Sequence, residues 1–168
     1  KVGETMKKIF SYRNSLMACV VGGLLGLATC FVGIYLLSTL SAAPTVSAMS
    51  TVSHYLWLVK GNILCLLLLS IFWIIHLVFH HKKSMKEWIP ILFTWICFVV
   101  SILAWPTLNQ VHQVLLHPTM LNLLSIMDLK QAKMNHMIIL LVIGIFGMLV
   151  NGILSMIYLM QIHNKTQS

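Results

Sequence analysis

Of the 168 residues, 59% are apolar and 8% are charged, with a formal net charge of +8. A soluble domain carries about 25% charged residues, so this chain has too little polar surface to coat a globule in water, and lipid is the natural solvent for much of it. Only Glu4, Glu87 and Asp128 are acidic, none of them inside an apolar run, which excludes carboxylate-pair hydrolysis, carboxylate metal cages and carboxylate proton relays within a bilayer.

Residues 1–5 precede Met6-Lys7-Lys8 and are set aside as vector-derived or processing residue. A first membrane span is predicted at about 15–40. Its apolar run is much longer than that of a signal peptide and reads as an uncleaved anchor. Small residues recur along one face at Cys19, Gly23, Gly26, Cys30 and Gly33, and Gly22 with Gly26 forms a GxxxG pair. In lipid, helices adhere where small residues let backbones approach. Residues 41–53 are uncharged and read as a plain connector.

A second span is predicted at about 55–79. Lys60 lies in its outer turns beside Asn62. A lysine there either snorkels toward the interface where Tyr55 and Trp57 sit, or contacts an anion or lipid headgroup. His76 and His80 share one face at the other end, a spacing that can bind metal when further ligands converge. Beside Lys82 and Lys83 they read better as a basic collar for anionic lipid. Paired haems are disfavoured, because His54 and His76 are ~33 Å apart along a helix.

A third span is predicted at about 88–108, bracketed by Trp88 and Trp105. The segment 109–135 is punctuated by Pro106 and Pro118 and is apolar at helical spacing, which predicts a short helical cap. It brings His112, His117, Met120, Met127 and Met134 close in sequence to His136. Thioether and imidazole ligands suit copper(I), but a methionine stripe is more often packing or an adaptable docking surface. A fourth span is predicted at about 136–160, with Gly144, Gly147, Asn151 and Ser155 forming a second small-residue seam. Spans one and four are expected to pack together with Asn151 facing the bundle. The alternative is that one seam docks a partner subunit. Cys19, Cys30, Cys65 and Cys97 all lie in apolar runs without a CxxC and read as small buried hydrophobes.

Lys7, Lys8, Arg13, Lys82, Lys83, Lys86 and Lys165 fall on one side of these spans, against Lys130 and Lys133 on the other. By the positive-inside rule both termini are expected in the cytoplasm. The expected fold is all-α: a polytopic four-helix transmembrane bundle forming a single domain, with a short extracytoplasmic helical cap between the third and fourth spans. No catalytic motif is present. The expected role is a non-enzymatic membrane subunit or accessory protein, with the bilayer and other subunits or a second copy as partners, no nucleic acid and no cofactor. An oligomeric transporter or channel is one alternative. A haem- or copper-binding protein is the other.

Overall fold

The computed structural model describes residues 2–40, 46–80, 84–117 and 131–167. Six helices and no strands occur among them: α1 (Val2–Ile9), α2 (Tyr12–Leu40), α3 (Val46–Phe79), α4 (Met85–Leu103), α5 (Trp105–Leu116) and α6 (Gln131–Gln167). Four are long and apolar enough to cross a membrane, over Tyr12–Ser38, Ser50–Phe79, Met85–Leu103 and Gln131–Gln167. The chain is a multi-pass membrane protein of all-helical class, with a short helix following the third span. Met120, Met127, Lys82 and Lys83 lie outside the described residues.

The helix limits depart from expectation for local reasons. α3 begins at Val46, well inside the segment read as a connector. No glycine or proline lies between residues 46 and 54 to stop a helix there. The third span ends at Leu103 rather than near 108, because a proline cannot donate to the preceding turn. Ala104 marks the joint and Pro106 enters α5 as its second residue. α6 extends past both predicted ends, through 131–135 and 161–167, which carry no helix breaker. Residues 2–5 belong to α1. Asn14 fastens α1 to α2, its amide donating to the carbonyls of Lys8 and Ile9 at 3.1 and 2.9 Å, so the last turn of α1 has partners for its open carbonyls. Ser11 accepts from the Asn14 backbone N–H and caps α2.

The most extensive helix pairing is α2 with α6, followed by α4 with α6 and α2 with α3. A Cβ placed on Gly23 would stand 2.9 Å from the Gly152 Cα, and one on Gly152 equally close to the Gly23 Cα. These two glycines let the backbones touch. Gly26 faces Ile145 and Met148, while Gly22 faces Leu69 and Gly33 faces the Tyr55 hydroxyl. On the other side of α6, Gly144 faces Ser101 and Gly147 faces Cys97. Both seams are therefore filled by helices of the same chain.

Three apolar clusters run along the bundle. Leu16, Cys19, Leu69, Trp73 and Ile91 pack near the end that carries both termini. Leu66, Cys97 and Met148 fill the middle. Leu56, Val59, Ile63, Ala104, Leu108 and Met137 form the distal cluster, where α5 folds back on α3. The outward faces remain apolar, with Val21, Leu24, Phe31, Leu68 and Phe146 each at least 60% exposed. Lipid solvates such a surface where water would not.

Candidate functional site

Two kinds of buried polar group occupy the bundle. The first links helices near its middle. Asn151 of α6 is 2% exposed and donates its amide to Thr94 Oγ1 of α4 at 2.8 Å. The Thr94 hydroxyl donates in turn to the Pro90 carbonyl at 2.8 Å, and Cys19 Sγ of α2 lies 4.0 Å from it. Ser155, one turn beyond Asn151, is fully buried. A second link joins α3 to α2, where the Asn62 amide donates to the Thr29 hydroxyl and to the Leu58 carbonyl. These groups are neutral, as buried polar pairs in lipid generally are, and they fix how the helices mesh.

The second kind is charged and lies at the distal end. Ser53, Trp57 and Lys60 fall at i, i+4 and i+7 on α3, hence on one face. Trp105, Asn109 and His112 repeat that spacing on α5. The fold sets the two faces against each other. Lys60, only 5% exposed, donates from Nζ to Asn109 Oδ1 at 2.8 Å. Its ammonium stands 5.3 Å from the ring centroids of both Trp57 and Trp105. His112 is fully buried, its ring edge-on to Trp57 with centroids 4.8 Å apart. Neither His112 nitrogen has a hydrogen-bond partner among the described residues.

The electrostatics follow from this packing. An ammonium presents three donors, and one meets the neutral amide of Asn109. Each cation–π contact contributes about 0.5–2 kcal/mol. Among the described residues, none of these contacts neutralises the charge. The described acids, Glu4 and Glu87, lie in α1 and in the first turn of α4, at the opposite end of the bundle. Burial holds His112 below its ordinary value of 6.5, the Lys60 charge adds to the depression, and the Ser53 backbone acts in the opposite sense. His112 is therefore a neutral imidazole at pH 7, with one donor and one acceptor to offer.

Lys60 thus turns inward onto Asn109 rather than snorkelling along the helix surface. Its partner lies 49 residues away in sequence, so nothing in the local pattern announced the pair. Trp57 and Trp105, read as interfacial residues, also flank the ammonium. The remaining candidate ligands disperse. His76 is buried, its Nδ1 2.7 Å from the Phe10 carbonyl, and its ring stacks on His80 with centroids 4.6 Å apart. That ties the start of α2 to the end of α3. His117 and His136 are exposed, and Met134 packs against the distal apolar cluster. No three His, Cys, Asp or Glu side chains converge among the described residues.

The chain matches no protein-family model, and no curated protein or solved structure is significantly similar to it.

Proposed function

We propose that this chain is a non-enzymatic integral membrane component that engages an anionic group, a carboxylate or phosphate carried by a partner molecule, at the distal end of its bundle. One observation carries the reading: Lys60 is buried against a neutral amide and two tryptophans, beside a buried imidazole that has no side-chain hydrogen-bond partner among the described residues. A buried cation is a functional group by default in a membrane protein. Charge-assisted hydrogen bonds to an oxyanion are about twice as strong as neutral ones. Two ammonium protons and the His112 N–H supply donors for such a ligand. The small-residue seams support no partner surface, since α2, α3, α4 and α6 fill them mutually. Partner binding therefore falls to the distal end.

The test is direct. Trp57 and Trp105 flank the ammonium and report on its surroundings by fluorescence. Titration of the detergent-solubilised chain with acetate and with inorganic phosphate should give a saturable change with at least one of them. Lys60→Met should weaken it at least about tenfold, the equivalent of roughly 1.4 kcal/mol. Absence of saturation with both anions, or an unchanged response in Lys60→Met, overturns the reading.

A further inference from the structure

At the opposite end of the bundle, α2 and α6 enclose a groove on their lipid-facing side. It starts at Arg13, His163, Asn164 and Thr166. It continues between Met17, Val21, Met156 and Met160. It ends against Leu24, Leu27, Leu149 and Ile153, with Gly23 and Gly152 as its floor. The three stretches are contiguous, sharing Met17, Leu159 and Met160 at the first join and Val20 and Met156 at the second.

We infer that this groove seats one anionic phospholipid of the leaflet on the terminal side, its headgroup at Arg13 and an acyl chain running to Leu27. Three observations select that occupant. The first is length. Arg13 to Leu27 spans ~21 Å of helix at 1.5 Å per residue, which is half of the ~40–45 Å thickness of a bilayer with its headgroups. A partner helix would call for a groove running the full depth, and these three stretches cover about half of it. The second is polarity. The groove is polar only at its mouth, where Arg13 supplies positive charge beside His163, Asn164 and Thr166. Basic pockets between helices at a membrane surface recognise anionic headgroups. The third is the lining. Met17, Met156 and Met160 are each half-exposed and aligned along the groove, and methionine side chains adapt to an irregular chain. The glycines that bring α2 and α6 into contact also deepen the channel, because neither carries a side chain to fill it.

Native mass spectrometry of the full chain in mild detergent tests this, with phosphatidylglycerol and phosphatidylcholine of identical acyl chains as probes. One phosphatidylglycerol should remain bound under conditions that strip phosphatidylcholine. Arg13→Gln should reduce that preference about fivefold, the worth of one basic residue near a membrane surface, and Arg13→Lys should keep it. Val21→Trp and Leu24→Trp, both on outward-facing positions, should displace both lipids while circular dichroism and elution volume stay as in the wild type. Equal retention of the two lipids overturns the inference, as does an Arg13→Gln chain with undiminished preference. A wild-type dimer that Val21→Trp dissociates would also overturn it, by showing a second copy in the groove.

Discussion

The middle of the bundle and its distal end both bury polar side chains, and they do so on different terms. In the middle, Asn151 meets Thr94 and Asn62 meets Thr29, each pair neutral and each bridging two helices. At the distal end, among the described residues, Lys60 meets an amide and two aromatic rings, and His112 meets Trp57. Each neutral pair still leaves an amide oxygen, Asn62 Oδ1 or Asn151 Oδ1, without a partner among the described residues, so the difference between the two regions is one of charge. A cation held by neutral groups keeps its charge and its field. The contrast separates architecture from recognition more sharply than burial does, since Asn151 and Lys60 are nearly equally enclosed.

The largest effect should come from breaking the architecture. Gly152→Leu forces a side chain against the Gly23 backbone, which a Cβ alone would already approach to 2.9 Å. Overpacking a core costs about 1–3 kcal/mol, and here the obstacle is main chain, which cannot rotate aside. A fall of about 10 °C in melting temperature, or loss of a monodisperse peak in detergent, is expected. Gly61→Ala is the control. A Cβ there meets nothing within 4 Å, so the change should be neutral or stabilising by up to about 1 kcal/mol. Next in size is Lys60→Met, which should abolish the anion response while leaving the melting temperature unchanged or raised, because a buried charge is replaced by an apolar chain of similar length. A marked loss of stability would instead make Lys60 a structural residue and erase the contrast.

The parts of this fold that follow from local pattern were legible in the chain. Long uncharged runs give the spans, and Gly23, Gly26, Gly144 and Gly147 recur on the period that marks a contact face. The pairing of spans one and four, with Asn151 turned into the bundle, was legible from the two small-residue seams and is what the helices do. The residue-level match was not: small residues allow close approach without fixing which one meets which, and the contact of Gly23 with Gly152 came from the fold. The distal site was hidden for a related reason. Lys60 and Asn109 belong to segments that meet only because the chain bends at Ala104 ahead of Pro106. The proline was readable as a stop. The direction of the turn after it comes from burying Leu108 and Val111 against α3, a tertiary preference.

Smaller effects sharpen the same comparison. Asn151→Leu removes a hydrogen bond worth about 0.6–2 kcal/mol between membrane helices. It should lower the melting temperature by a few degrees and leave the anion titration untouched. A double-mutant cycle with Thr94→Val would show a coupling of about 0.6 kcal/mol, 1.7 at most. An altered anion response in Asn151→Leu would mean that the two regions are energetically linked.

The smallest effect is the pH dependence of the distal site, and its sign is fixed by the depression of His112 below 6.5. In the unfolded chain the imidazole takes up its proton near that ordinary value, whereas in the folded chain it resists until lower pH. Between the two values the unfolded state binds more protons. The His112 contribution to stability is therefore complete above pH 6.5 and is lost as pH falls through the folded-state value. A bound anion changes the balance. It screens Lys60 from His112 and favours the imidazolium directly, so protonation and anion binding support each other. Anion affinity should rise as pH falls below 6.5 while stability without anion declines. In His112→Phe both trends should flatten, with affinity held at a level set by Lys60 alone. Were affinity to fall on acidification in the wild type, the proton would be going to the anion, and His112 would take no part in holding it.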